Sequence, residues 1–333
     1  MKWNRRSTSW NVSNYVAEWL NASEVVGTVL SKLHANEIGY FAPSFAGTDV
    51  GKSLDSMAPL AAFAHGLDAK YNIKQVSGHN YMGSATASGV TLQSTLMNHT
   101  AIVRSIASHV TLAQQLRQYT TAPYIMGETN SLSGGGAAGL SNVFGAALWV
   151  VDYALYQATQ NIARVQFHQS GTAPYSAWAP STSPPTTNAP YYGNVMVAAA
   201  VGSAPRSTIA YLDLGTGDER ISAYVVYEGG VLKRVVVLNM REWRSDSGTP
   251  RPSSTFSLNV TKEVKGARVE RLTAPGAEVL SGVTFGGVSY DYGSNGGKPV
   301  VVDADATKEI VLVKKGVLSV VLEDSEGVVL HLF

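Results

Sequence analysis

Between Ser13 and Val201 the apolar residues alternate between helical spacing and short continuous runs. That alternation restricts this part of the chain to parallel strands covered by helices. Ser13 caps a helical run, Asn14–Leu33, with apolar positions at Tyr15, Trp19, Leu20, Val26, Val29, Leu30 and Leu33. Strand runs at Ile38–Ala42, Ile73–Ser77, Pro123–Gly127 and Ile162–His168 are each followed by a helical run, at Leu54–Leu67, Thr91–Tyr119, Leu140–Gln160 and Tyr191–Val201. A complete eight-unit barrel needs ~250 residues. Four strand–helix units make half of one, so residues 1–205 are expected to form a partial (β/α)8 barrel.

From about Ser207 the period becomes two, with Gly-rich turns. Ile221–Tyr227 and Val231–Leu238 flank Glu228-Gly229-Gly230, a hairpin signal. Further strands are expected at Phe256–Val260, Arg268–Leu272, Val300–Val302, Glu309–Val313, Leu318–Leu322 and Val328–Phe333. Residues 206–333 therefore read as an antiparallel β-sandwich. The Pro/Ser/Thr-rich run Ala179–Pro190 falls before this change and reads as a rim loop of the first domain.

Composition removes several functions. A formal net charge of +1 with no basic cluster gives no field for nucleic acid or an anionic membrane. No apolar run approaches the ~20 residues of a membrane span. The chain has no cysteine, which excludes disulfides and thiolate metal sites. Seven histidines include no H-E-x-x-H, so no metal and no cofactor is expected. Met1-Lys2-Trp3-Asn4-Arg5-Arg6 begins no apolar signal-peptide core. Sequons at Asn11, Asn21, Asn98 and Asn259 are acceptors for N-glycans only in an exported protein.

Catalytic residues of a parallel barrel sit at the carboxyl ends of its strands. Those ends read Ala42-Pro43-Ser44, Gly78-His79-Asn80-Tyr81, Glu128-Thr129-Asn130 and His168-Gln169. The uncharged strand Tyr124-Ile125-Met126-Gly127 delivers Glu128, a carboxylate that is costly there unless hydrogen-bonded or functional. Glu128 is either a catalytic carboxylate or an exposed loop residue. His79 and Tyr81, two apart on an extended segment, face the same side, as site residues or as caps of the core. Gly134, Gly136 and Gly139 satisfy G-x-G-x-x-G. For a dinucleotide loop the first glycine lies too far past the strand, and the next acidic residue, Asp152, falls inside a helical run. A side-chain-free wall for a sugar ring fits better.

These residues resemble glycoside hydrolase family 79, the family of heparanase and fungal β-glucuronidases. The resemblance runs through Ser77–Ser84 (SGHNYMGS), Tyr124–Ser141 (YIMGETNSLSGGGAAGLS), Phe144–Leu155, Pro190–Gly202 and Thr284–Pro299. It implies the C-terminal half of a (β/α)8 barrel followed by a β-sandwich, and retaining hydrolysis of β-glucuronides of polysaccharides or glycoproteins. It assigns Glu128 as nucleophile and Tyr81 as the tyrosine beside it. Gly134 and Gly135 become the backbone lining of the sugar site, Tyr175 the residue near the uronate carboxylate, and His168 or Gln169 another polar sugar contact; His79 joins these substrate-binding candidates from its place beside Tyr81. Secretion, with glycans at Asn11, Asn98 and Asn259, is implied as well.

One departure matters. The family's acid/base glutamate lies in an Asn-Glu-Pro motif, which this sequence lacks. The run Asn14–Leu33 resembles the helix after that strand, with Lys2–Ser9 as the remnant of the intervening loop. Glu37 and Asp49 are poorly placed to substitute. The expectation is a fragment or truncated product with little hydrolysis of its own and open sheet edges at Ile38–Ala42 and Ile162–His168 that favour association. The alternatives are a non-catalytic carbohydrate-binding protein of the same fold and, further off, a nucleotide-dependent oxidoreductase.

Overall fold

The protein is described from a computed structural model covering residues 9–33 and 39–333. Glu37, Ile38 and the stretch 2–8 lie outside the described residues. The fold is mixed α/β. Helix α1 (Val12–Lys32) takes in Ser13, the expected cap, and opens instead on a capping box in which the Asn11 and Asn14 side chains and backbone N–H groups satisfy each other.

Strands β1 (Tyr40–Phe45), β2 (Ile73–Ser84), β3 (Tyr124–Ser133) and β4 (Val165–Phe167) form a four-stranded sheet in sequence order, so β1 and β4 are its outer strands. β1 pairs with β2 in parallel. Helices α2 (Pro59–Ala64), α3 (His99–Leu116), α4 (Phe144–Thr159) and α5 (Pro190–Val201) alternate with these strands.

Five further elements differ from the sequence reading. The run Leu54–Leu67 keeps only α2, because Pro59 sets its first turn and Gly66 (φ +86°) ends it. The run Thr91–Tyr119 is broken. A single π-turn, Leu92–Leu96, precedes α3, and the Asn98 side chain then accepts from Ala101 N–H at 2.9 Å, starting a new helix. Strands β2 and β3 run six or seven residues further than expected, to Ser84 and Ser133. His79, Tyr81 and Glu128 thus lie inside strands rather than past their ends. Nothing in Gly78–Ser84 or Glu128–Ser133 interrupts extended backbone, and Ala85 N–H still donates to the Ser133 carbonyl. The last strand shrinks to three residues.

The chain divides into two compact units, 1–80 with 106–129 and 161–166, and 81–105 with 130–160 and 167–333. In the first, the α1 face is fixed by Tyr40, whose hydroxyl donates to the Ser23 carbonyl and whose ring meets Trp19 edge-on.

Among the described residues, the antiparallel pairings from Trp178 onward lie in the second unit. Ile221–Glu228 and Val231–Asn239 form the expected hairpin, and its turn glycines, Gly229 and Gly230, have φ of +57° and +82°. They belong to a nine-stranded sheet. A separate pair, Ser253–Asn259 with Val317–Glu323, shares a core with it: Phe256, Leu258, Leu318, Val320 and Leu322 meet Val235, Val237, Val269, Val328 and Leu330. Helices α4 and α5 belong to this unit too. Gly193 lets them approach, since a Cβ there would lie 2.5 Å from the Ala147 carbonyl oxygen. Gly327 makes similar room for Leu238, Met196 and Leu148.

Candidate active site

In the first unit, β2 and β3 carry His79 and Glu128. The Glu128 side chain is 37% exposed, and its Oε2 lies 3.8 Å from His79 Nδ1. His79 Nε2 is 2.7 Å from the Ser44 hydroxyl, which is 3.1 Å from the Ser77 hydroxyl. Glu128 therefore stands within ion-pair reach of an imidazole that is itself held from behind. After it, Thr129 is fully buried and donates its hydroxyl to the Asn80 carbonyl at 2.6 Å.

Two glycines let these strands pack. A Cβ on Gly127 would lie 2.0 Å from Ser77 Oγ, and one on Gly78 would lie 2.0 Å from the Tyr124 hydroxyl. Gly127→Ala is expected to cost about 1–3 kcal/mol through overpacking, read as a lower urea midpoint at unchanged m-value.

Tyr124 in turn meets His109 Nδ1 at 2.8 Å. Burial pushes His109 down to about 4. The unfolded value is ~6.5. A depressed folded value means stability that is complete above pH ~6.5 and is lost as pH falls through about 4, on the order of 3 kcal/mol. Urea unfolding at pH 7 and pH 4 should show this loss in the wild type and much less of it in His109→Gln.

In the second unit, Asn130 is buried and its amide donates to the His168 and Tyr175 carbonyls at 2.9 and 3.2 Å. Asn130 thus holds both ends of the loop bearing His168, Gln169 and Tyr175. The Tyr81 hydroxyl lies 3.4 Å from His168 Nδ1, and the Tyr175 ring is 5.8 Å from that of His168. Gly134, Gly135 and Gly136 all have positive φ, between +81° and +95°. Side chains would fit sterically at Gly134 and Gly135, so glycine is needed there for conformation. At Gly136 a Cβ would meet Tyr175 N and Ser141 Oγ at 2.8 Å.

Residues 223–329 match the glycosyl hydrolase family 79 C-terminal beta domain. Over 98% of its length the chain is 40% identical to a β-glucuronidase of Aspergillus niger. It is thus similar to proteins of glycosyl hydrolase family 79. A β-glucuronidase of Neurospora crassa is 37% identical over 89% of the chain. The chain spans 63% and 59% of the lengths of these two relatives. The crystal structure of a 4-O-α-L-rhamnosyl-β-D-glucuronidase from Fusarium oxysporum 12S, in complex with Rha-GlcA, superposes with a TM-score of 0.79 at 25% identity, over 97% of this chain and 65% of that one.

The site residues named from sequence fall into two groups. Glu128 and His79 come together. Tyr81, His168 and Tyr175 form a second group, although Tyr175 is only 6% exposed. Gln169 spends its Oε1 on the Ala177 N–H at 2.9 Å, which makes it a loop brace as well as a polar surface. The glycines do not open a helix directly, since α4 begins at Phe144, five residues after Gly139, so the dinucleotide reading lacks its geometry. Asn98, expected as a glycan acceptor, is 8% exposed and its Oδ1 caps α3. Asn11 and Asn259 are exposed. Sequence reasoning missed Ser44 and Asn130. Both stood in the strand-end strings, but their roles depend on partners 35 and 38 residues away. Among the described residues no helix is long and apolar enough to cross a membrane.

Proposed function

We propose that this chain carries the nucleophilic half of a retaining β-glucuronidase, with Glu128 as the nucleophile. The observation that carries it is Glu128 on β3 beside an imidazole braced by Ser44, in a chain similar along almost its whole length to β-glucuronidases. A half-exposed carboxylate next to an imidazole stays available to attack an anomeric carbon. Retention requires a second carboxyl to protonate the leaving oxygen and later activate water. The Asn-Glu-Pro that supplies it in the family does not occur in this sequence, so glycosylation of Glu128 is the half-reaction assigned here. Tyr81, His168, Tyr175 and the backbone of Gly134 and Gly135 are proposed as sugar contacts. Architecturally, the α/β part is proposed as the last four units of a (β/α)8 barrel and the antiparallel part as a β-sandwich.

The test is incubation with 2-deoxy-2-fluoro-β-D-glucuronyl fluoride followed by peptide mass spectrometry. One glucuronyl adduct on Glu128 is expected. Saturable binding of glucuronide without an adduct would instead favour a non-catalytic sugar-binding protein.

A further inference from the structure

We propose that Ser44 is a positioning residue for the nucleophile: its hydroxyl fixes the tautomer of His79 so that the ring presents Nδ1–H to Glu128. This rests on Glu128 being the nucleophile. Ser44 and Ser77 are register partners on the parallel strands β1 and β2, which brings their hydroxyls to 3.1 Å. Ser44 Oγ is then 2.7 Å from His79 Nε2, while Nδ1 lies 3.8 Å from Glu128 Oε2.

The direction of each proton follows from the carboxylate, which can only accept. A bare Nδ1 would turn a lone pair toward it, whereas Nδ1–H turns a positive dipole. With Nδ1 protonated and the ring neutral, Nε2 has only a lone pair, so Ser44 must donate to it. Ser44 is then free to accept from Ser77. The chain therefore has one sense: Ser77 to Ser44 to His79, with the N–H facing Glu128. At 3.8 Å this last step is too long for a direct hydrogen bond, so the ring acts on Glu128 by its field. Gly127, the residue before Glu128, leaves the space in which the Ser77 hydroxyl sits. The role of His79 changes accordingly. One ring nitrogen is taken by Ser44 and the other faces Glu128, so His79 orients the nucleophile rather than binding a sugar hydroxyl.

Two measurements on the full chain test this. In protein labelled with ¹⁵N-histidine, NMR should find neutral His79 as the Nδ1–H tautomer. Ser44→Ala should move it toward Nε2–H, and Ser44→Thr, which keeps the hydroxyl, should restore it. With the fluoroglucuronyl fluoride, Ser44→Ala should lower kinact about tenfold, the effect of one hydrogen bond, with Ki nearly unchanged and recovery in Ser44→Thr. If Ser44→Ala does not fold, Ser44→Cys, a weak donor, is read the same way. An Nε2–H tautomer in the wild type, or a tautomer or kinact indifferent to the loss of the hydroxyl, overturns the proposal. A wild type that takes no label overturns the nucleophile assignment instead, and the tautomer measurement still decides whether Ser44 orients His79.

Discussion

Glu128→Gln is expected to lose covalent labelling by 2-deoxy-2-fluoro-β-D-glucuronyl fluoride by roughly 10⁴-fold or more, the scale of loss when an enzyme's nucleophile is removed. On the proposed assignment, a Glu128 oxygen of the wild type forms a bond to C1 as the C1–F bond breaks, and the electron pair leaves with fluoride. Fluoride departs without a proton, so this step needs no acid. The 2-fluorine slows hydrolysis of the adduct, so it accumulates to be weighed. Glutamine is nearly isosteric but its amide oxygen is a far weaker nucleophile, and the His79 N–H loses the charge it faces across 3.8 Å. Stability should hardly change, because the side chain is more than one-third exposed. An aryl glucuronide separates the two halves of the reaction. Its leaving group is poorer than fluoride, so a chain with only the nucleophile should turn it over slowly. Brisk turnover abolished by Glu128→Gln would show that an acid/base is present after all. Equal labelling of wild type and Glu128→Gln would remove Glu128 from the chemistry.

Sequence made some of this legible for reasons the structure makes clear. Gly229-Gly230 announced a hairpin because both positions need positive φ, which costs a side-chain-bearing residue more. Helix α5 was readable as the run Tyr191–Val201, and the structure adds only Pro190 at its first turn, assigned from sequence to the loop before it. Glu128 stood out as a charge after four uncharged strand residues. Strand length did not show, since Gly78–Ser84 and Glu128–Ser133 contain no residue that stops extended backbone. The helix break at Asn98 carried a cap residue, but the apolar spacing on either side concealed it. Ser44 was invisible as a functional group because only the β1–β2 register places it against Ser77 and within reach of His79. Asn130 was part of the recognised G-E-T-N block, yet its task, holding the 168–175 loop, is a long-range contact that no local pattern encodes.

Asp152→Ala is expected to be among the most destabilising single substitutions in the second unit. Asp152 is fully buried on α4, where helical spacing placed it, but its partners lie 53 and 72 residues away. Its carboxylate accepts from His99 Nδ1 at 2.9 Å and from the Tyr224 hydroxyl at 2.5 Å. Tyr211 stacks on His99 at 4.9 Å and Tyr156 meets it edge-on at 5.2 Å. His99 N–H donates to the Glu219 carbonyl, so one carboxylate ties α4 to the start of α3 and to strands Ser207–Tyr211 and Ile221–Glu228. Alanine leaves an imidazole and a phenol buried without that acceptor, at a cost of about 3–5 kcal/mol. Burial alone would lower the His99 pKa, but the charge and hydrogen bond of Asp152 outweigh it and raise it. A raised folded value contributes stability that is complete below the unfolded value of ~6.5 and is lost as pH rises through the folded one. Tyr224 is also raised, by burial first and then by Asp152, and stays neutral through this range. Asp152→Asn keeps an acceptor for Tyr224 but removes the charge. Its deficit in urea unfolding should therefore be larger at pH 6 than at pH 8.5, opposite in sign to the acid loss expected from His109. A deficit for Asp152→Ala below about 1 kcal/mol, the range of ordinary surface changes, would show that the unit is not organised around this pair.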